Sequence, residues 1–567
     1  MTPDRDREHI LTIAVEDWFQ VGSFHRIVQE GRWYRFETRV ENNVRRALDL
    51  LDEHGARATF FTLGWIADEM PELVREIAAR GHEVASKGYY HRSIQAMTPA
   101  EFREDLARSR ESLERASGQR VLGFRVADEW LRPQDLWALD VLRREGFAYD
   151  SSIFPMFGSW SEEPHRRFVH RHATSDGEIW EVPLSSMPLA GVNLPVAGGN
   201  WYRQFPHGLM LSAFRRWNRT IESPFVMYFQ VWELDSEQPR LGGASFLTRV
   251  RHYRNLGKLA WSLPEYLKAG RFVSAADWLG LERTSVAPPA APSAPVVAES
   301  APRPRAGTPV SVVVPCFNEE LVLPYLQRTL AAVEKAYAGT WDLRYVFVDD
   351  CSTDGTWRSL QEIFGKRPEC RLVRHERNQG VAHAILTGIR EAETEIVASI
   401  DCDCTYDPHQ LGNLIPLIAG ADVVTASPYH ERGEVRNVPE WRLFLSRGLS
   451  GLYRRVLRAQ LATYTSCFRV YRRSVMLDLP IREGGFLGVA EMLGLLDLRG
   501  HRIVECPAVL EVRMLGRSKM KVIKTIAGHL QLLARIAVAR LRGGARPVRP
   551  VVANSVSEVR EGPPSAR

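Results

Sequence analysis

The sequence predicts an α/β protein of two domains, and three observations carry that prediction. Its 567 residues exceed what one hydrophobic core serves, since cores stop growing near ~250–300 residues. Strand-like and helix-like stretches alternate on both sides of a break, and repeated βα units build parallel sheets or barrels. The break itself, SVAPPAAPSAPVVAESAPRPRAGTP from Ser285 to Pro309, is too proline-rich and too poor in large apolar residues to offset its ordering entropy. It is a Pro/Ala linker. The boundaries expected are a first domain at 8–282, a linker at 283–308, a second domain at 309–542 and a low-complexity tail at 543–567.

The elements follow in order. ILTIAVEDWF is a strand, NNVRRALDLLDEHG a helix, ATFFTLGW a strand and PELVREIAARG a helix ending on Gly81. EVASKGYY is a further strand, and PAEFREDLARSRESLERASG a long amphipathic helix. After the linker come PVSVVVPCFN (strand), VLPYLQRTLAAVEKA (helix), LRYVFVDD (strand), GTWRSLQEIF and AHAILTGIREA (helices) and EIVASIDCD (strand). Strands this apolar belong in a sheet covered on both faces. The second half therefore reads as an open α/β sandwich, with ligands expected at the carboxyl ends of its strands.

Composition narrows the class. Hydrophobic residues make up 45% and charged residues 25%, the balance of a soluble globular chain. The start MTPDRDREHI has no apolar signal region, and no run approaches the ~18 apolar residues of a spanning helix. A cytoplasmic protein is expected. All seven cysteines lie in the second half, none in a CxxC pair, which argues for reduced thiols over a disulfide framework or zinc cluster. The net charge is +6, yet Arg513 to Arg549 alone carries ten Lys or Arg and no acidic residue. Such a run implies an anionic partner or a solvated tail.

Two acidic pairs point to chemistry. Asp349 and Asp350 end the apolar run YVFVDD, and Asp401 and Asp403 follow IVASI as D-C-D. Carboxylates spaced by one residue at a strand end can share one hard divalent ion, Mg²⁺ or Mn²⁺. That ion would hold a diphosphate and stabilise its departure. A lone acidic pair after a strand is as readily the start of a solvated loop; two in order on successive strands are not.

VSVVVPCFNEE, VFVDDCSTDGT, RNQGVAHAILTGI and SIDCDCTYDP together resemble the family-2 glycosyltransferases of the GT-A fold. The resemblance runs from about Pro309 to Leu541, through TYTSCFRVYRR and GGFLGVAEMLGLLDLRGHRIVECPAVLEVRMLGRSKMK. It implies transfer from a nucleotide-diphosphate sugar with inversion at the anomeric carbon. It further implies that Pro315, Asn318, Glu319, Asp349 and Asp350 line the nucleotide pocket, that Asp401 and Asp403 form the metal and diphosphate pair, and that Gly380 and Gly388 allow close backbone passage. The later segment is most similar to the subgroup that glycosylates polyprenyl phosphates, as dolichyl-phosphate mannose synthases do. Arg517, Ser518 and Lys519 suit a phosphate monoester. Glu491 would act as base toward a hydroxyl acceptor, or orient the acceptor loop. Ile523, Ile526, Leu530, Leu533, Ile536 and Leu541 lie near helical spacing among cations. With a lipid acceptor, that stripe favours contact with an anionic leaflet, placing the protein peripherally at the inner face of the cytoplasmic membrane. Nucleic acid is not an expected partner.

From about Ile10 to Ala275, the motifs LTIAVEDWFQV, ARATFFTLGW, PELVREIAARGHEVAS, GQRVLGFR, FAYDSSIFP and WELDSEQPR resemble polysaccharide deacetylases (carbohydrate esterase family 4) of the exopolysaccharide-cluster branch. A distorted (β/α) barrel is implied. Those enzymes hold a divalent ion with one carboxylate and two histidines, and use a separate Asp base and His acid. This chain departs from that pattern in four places. Ala14 replaces the base, Lys87 the first histidine and Gln230 the late histidine, and Arg125 is followed by Val126-Ala127 and the acidic Asp128-Glu129. Glu16, Asp17, His91 and Arg125 are retained, and Lys87 is expected to pair with Glu16 or Asp17 where the metal would be. No zinc is expected here. Trp130 and Trp232 are candidate glycan-stacking platforms. The reading is an active glycosyltransferase with a degenerate deacetylase-like domain that binds or positions glycan in bacterial polysaccharide biosynthesis. The alternatives are a bifunctional enzyme that also deacetylates, against Ala14, Lys87 and Gln230, and a non-catalytic scaffold, against Asp350, Asp401, Asp403 and GRSK.

Overall fold

A computed structural model describes residues 7–156, 160, 162–189, 192–286, 307–436, 440–516 and 522–542. Arg517, Ser518 and Lys519, and the tail from 543, lie outside the described residues. The chain divides into two compact units, residues 1–240 with 244–298 and residues 241–243 with 299–567.

In the first unit the strands are β1 (Glu8–Val15), β2 (Thr59–Thr62), β3 (Glu83–Ser86), β4 (Gly123–Phe124), β5 (Tyr149–Asp150), β6 (His170–Thr174), β7 (Gly177–Glu181), β8 (Ser186–Leu189), β9 (Val192–Pro195), β10 (Val226–Gln230) and β11 (Arg271–Val273). The main sheet runs β10-β1-β2-β3-β4-β5-β7-β6, with β11 beside β1. Only the β6–β7 hairpin in it is antiparallel. The ring is completed without a ladder: Val226 N donates to Ser185 Oγ at 2.9 Å, and Ser185 N to Val226 O at 3.4 Å. This is a distorted (β/α) barrel, and its strands carry Ile10, Leu11, Ile13, Phe60, Phe61 and Val84, all buried. Helices Val40–Glu53, Pro71–Ala79 and Pro99–Ser117 lie between its early strands. The last opens on a capping box, Thr98 accepting from Glu101 N while Glu101 accepts from Thr98 N, which satisfies two otherwise orphaned donors. β1 stops at Val15 and β3 at Ser86, shorter than the apolar runs suggest. The residues beyond them, Glu16 and Lys87, are thereby freed to turn inward at the carboxyl ends.

The second unit carries β12 (Thr308–Cys316), β13 (Trp341–Asp349), β14 (Cys370–Arg374), β15 (Ile396–Ser399), β16 (Val423–Ser427), β17 (Glu434–Arg436), β18 (Arg469–Arg472), β19 (Ile503–Pro507) and β20 (Val509–Glu511). The main sheet runs β14-β13-β12-β15-β18-β16-β19, and β17 pairs with β20. β18 is antiparallel to both neighbours; the other pairs in that sheet are parallel. This is the expected α/β sandwich with one reversed strand. Helix Val381–Glu391 presses so closely on β12 that a Cβ at Gly388 would stand 2.2 Å from Val313 Cγ1.

The final helix, Val522–Arg542, corrects the reading of its stripe. Leu533 and Ile536 are buried with Leu532 against helix Phe486–Leu498, and His529 meets Tyr453 Oη at 2.8 Å. Those residues are core. Leu530 and Leu541 are exposed, while the side chains of Ile523 and Ile526 lie outside the described residues. The helix divides because one face packs against other helices of this chain, which spacing alone does not reveal. Among the described residues no helix is long and apolar enough to cross a membrane.

Candidate active site

In the second unit, β12, β13 and β15 end side by side, and the loops leaving them are stitched together. Pro315 pairs in register with Val348 at the end of β12. Asn318 N donates to Ser352 Oγ at 2.8 Å, and Asn318 Oδ1 accepts from Thr353 N at 2.7 Å. Glu319 N donates to Thr356 Oγ1 at 2.7 Å. Asn318, Cys351 and Cys404, one on each loop, take φ of 53°, 60° and 52°. Left-handed non-glycine backbone costs about 1–3 kcal/mol and clusters at functional sites.

The neighbours Asp349 and Asp350 part company. Asp349 is fully buried, with Oδ2 3.0 Å from Arg374 Nε and Oδ1 accepting from Ser352 N at 3.2 Å. Asp350 instead ties down the RNQG loop: Oδ1 accepts from Gln379 N at 2.8 Å and from His375 Nδ1 at 2.8 Å, and Oδ2 from Gly380 N at 2.7 Å. His375 Nε2 meets Thr387 Oγ1 at 3.0 Å. Gly380 is obligatory here. Its φ is 87°, and a Cβ would stand 2.4 Å from Gly484 O.

Asp401 and Asp403 lie just beyond β15. Burial, and then the neighbouring Asp403 carboxylate, push the Asp401 carboxyl up to about 7. Asp403 Oδ1 accepts from Thr405 N at 3.2 Å, and Oδ2 lies 3.4 Å from Arg513 Nη1. Arg513 also grips Glu319. Sequence reading saw Arg513 only as the head of a basic run; its position four residues before Arg517-Ser518-Lys519 was the available signal. Two mutually repelling carboxylates fit a hard divalent cation, which relieves that repulsion. Among the described residues no group of three or more His, Cys, Asp or Glu is placed to hold a metal ion.

Glu491 sits apart from this chemistry. It is 4% exposed, with Oε2 accepting from Arg482 N and Glu483 N at 2.8 Å each and Oε1 from Arg535 Nη2 at 2.9 Å. These three hydrogen bonds anchor the 482–483 loop to Glu491, which fits the orienting one of its two expected roles.

The first unit brings together a different set. Glu16 is 1% exposed and Lys87 2%. Lys87 Nζ contacts Glu16 Oε2 directly and lies 3.0 Å from His91 Nε2, which is itself 2.8 Å from the same Glu16 oxygen. Burial would raise Glu16, but the Lys87 and His91 charges and their hydrogen bonds hold it down at about 2. The donor set does not fit a divalent metal. An ammonium has no lone pair to give, and it already takes up the carboxylate and the histidine that would coordinate.

The other retained residues support the frame. Asp17 turns away and caps helix Val40–Glu53: Oδ2 accepts from Thr38 Oγ1 at 2.7 Å, Arg39 N at 2.9 Å and Val40 N at 3.3 Å. Burial outweighs those bonds and pushes its carboxyl up to about 6. Arg125, wholly buried, donates to Ser151 O, Ser151 Oγ and Thr12 Oγ1 at 2.9, 2.6 and 3.0 Å, bracing the barrel. Ala14 faces Gln230 in the β1–β10 register. Gln230 Nε2 donates to Tyr228 Oη, and its Oε1 is buried without a hydrogen-bond partner. Trp232 is buried, stacked on His252 at 4.1 Å, so it offers no open platform; Trp130 packs edge-on to Phe154 and Tyr228. An open cleft of about 510 Å³ lies beside this set, lined by Gln20, His25, Gln29, Trp33, His91 and Arg92 among others. Gln20 Nε2 and His91 Nδ1, both buried, have no hydrogen-bond partner.

Comparison with known proteins matches residues 311–479 to Glycosyl transferase family 2, residues 32–128 to Polysaccharide deacetylase and residues 151–280 to a domain of unknown function, DUF3473. A dolichol-phosphate mannosyltransferase of Pyrococcus furiosus is 29% identical over 230 residues, 40% of this chain and 63% of that protein. A polyprenol monophosphomannose synthase of Mycolicibacterium smegmatis is 30% identical over 218 residues, 37% of this chain and 80% of that protein. Among solved structures, a CE4 family pseudoenzyme from Bacillus anthracis is 14% identical, covering 49% of this chain and 66% of that one, with a TM-score of 0.27. Through residues 311–479 the chain belongs to glycosyl transferase family 2, fused in one polypeptide to a polysaccharide deacetylase-like domain.

Proposed function

We propose that the second unit transfers a hexosyl group, with inversion, from a nucleotide-diphosphate sugar to a polyprenyl phosphate or lipid-linked glycan in bacterial polysaccharide biosynthesis. The observation that carries this reading is the convergence of Asn318, Glu319, Asp350, Asp401, Asp403 and Arg513 at the ends of three adjacent strands. Relatives named for dolichol and polyprenol phosphates support the acceptor class. Asp350 positions the RNQG loop beside the nucleotide. Asp401 and Asp403 would hold Mg²⁺ or Mn²⁺, which would supply charge compensation for the departing diphosphate. Arg513, bridging Glu319 and Asp403 in the free protein, is placed to turn its guanidinium toward that diphosphate. Arg517, Ser518 and Lys519 would cradle the acceptor phosphate, which is already ionised at neutral pH and so needs little help from a base. Glu491 and Arg535 set the height of the loop that faces it. The protein works peripherally at the inner face of the cytoplasmic membrane. The first unit serves in binding or positioning glycan, its cleft offering Gln20 Nε2 and His91 Nδ1 to a polar guest. Incubating the full chain with a panel of nucleotide sugars, polyprenyl phosphate and Mg²⁺ or Mn²⁺ tests the proposal. A lipid-linked sugar is the expected product; transfer only to water-soluble glycans would refute the acceptor, and no transfer from any donor the function.

A further inference from the structure

The first unit exposes large apolar side chains in one region of the chain. Phe205, Leu209, Phe246, Leu247, Val250 and Trp261 are 37%, 60%, 70%, 78%, 41% and 57% exposed. Only Tyr34 and Val192 join them as exposed large hydrophobics described in this unit. They sit on or beside helices His207–Thr220, Phe246–Tyr253 and Gly257–Ala269, which specific bonds lock together. His207 meets the Trp261 ring edge-on at 5.1 Å, and Lys258 donates to Phe205 O. Gln204 Nε2 donates to Arg251 O at 3.3 Å, and the buried Arg203 to His252 O and Arg254 O at 2.7 and 2.9 Å. These contacts tie the segments that carry the exposed side chains to one another, directly or through Arg203 and Gln204.

Its charge identifies the occupant. Between Glu237 and Glu265 the chain carries Arg240, Arg249, Arg251, Arg254 and Lys258 and no acidic residue, and helix His207–Thr220 adds Arg215, Arg216 and Arg219, again with none. Glu265, the acidic residue nearest Trp261 on its helix, pairs with Lys268 at 3.3 Å. A polyanionic chain in water would call for the cations but not for Phe246 and Leu247 standing clear of the surface. A partner protein would call for the apolar groups but not for so one-sided a rim. A lipid leaflet uses both: apolar side chains enter the acyl boundary while cations meet anionic headgroups.

We infer that this face of the deacetylase-like unit is a membrane-docking surface for anionic lipid, inserted through Phe246, Leu247 and Trp261. The inference stands on residues of the first unit and is independent of the acceptor proposed above; an enzyme using a soluble acceptor would leave it intact. The test uses the full chain and vesicles of phosphatidylcholine with and without phosphatidylglycerol. The parent is expected to bind the anionic vesicles, and Phe246→Ser with Leu247→Ser to bind about tenfold more weakly or worse. Both positions are so exposed that thermal unfolding should not move. As a second measure, hydrogen exchange across 246–256 should slow when anionic vesicles are added to the parent. Unchanged binding by the double variant, or no slowing across 246–256 while the protein is vesicle-bound, overturns the inference. So does an oligomer, formed without lipid, that the double variant dissolves, or retention on a sulfated polysaccharide in the absence of vesicle binding.

Discussion

Removing the Lys87 ammonium tests the reading of the first unit most directly. Lys87→Met keeps the volume and deletes the charge, leaving Glu16, 1% exposed, with His91 as its remaining neighbour in that cluster. In the parent, Glu16 is held at about 2 against an ordinary 4.5. At 1.36 kcal/mol per pH unit, this corresponds to about 3 kcal/mol of stabilisation of the ionised form. Breaking one side of a buried pair costs a similar ~3–5 kcal/mol. Calorimetry of the full chain at pH 7 should show one transition falling by roughly 5–10 °C, with the other unit's transition unmoved. Because the folded value lies below the unfolded one, the contribution is fully present above about 4.5 and is lost as pH falls toward 2. The gap between variant and parent therefore narrows across that window. Lys87→Met with Glu16→Leu should recover most of the loss, since a buried pair replaced whole by apolar groups is often neutral. A midpoint unchanged by Lys87→Met at pH 7, or a double variant no better than the single, refutes the assignment of Lys87 as the cation that satisfies Glu16.

Four further outcomes are expected. Asp403→Ala should cut transfer ~10²–10³-fold in Mg²⁺ or Mn²⁺, and near-parental rates would exclude the carboxylate pair. Glu491→Gln should raise the acceptor KM several-fold and leave the pH profile of kcat unchanged; loss of that profile's acidic limb would restore the base role. Gly380→Ala should destabilise by about 1–3 kcal/mol and weaken nucleotide binding, as urea unfolding and nucleotide titration will show. The full chain given zinc or cobalt should release no acetate from N-acetylated oligosaccharides above background, whereas metal-dependent release would reinstate the bifunctional reading.

Much of the fold was legible in the sequence because its strands are long apolar runs and its helices carry clear caps and breaks. Antiparallel β18 was not, since direction depends on partners that no local pattern encodes. Two-residue strands such as Gly123–Phe124 are likewise too short to leave a period. At the candidate site, spacing marked Asp350, Asp401 and Asp403 but could not separate Asp349, one peptide bond away and turned to Arg374. Arg513 escaped notice because, in a cationic run, its place four residues before Arg517-Ser518-Lys519 is its one local mark; its approach to Asp403 sets it apart. The same holds for Asp17. Beside Glu16 it reads as an equal candidate to pair with Lys87, whereas its bonds to Thr38, Arg39 and Val40 make it part of the scaffold.

The lysine at the heart of the first unit also bears on history. In a metal-dependent ancestor, a carboxylate in this position depends on an ion drawn from outside. With Lys87 in place the chain supplies the counter-charge to Glu16 itself. Return is steep: histidine restored at 87 would leave Glu16 short of a cation until metal binding was rebuilt, and Asp17, committed to its helix, could not stand in.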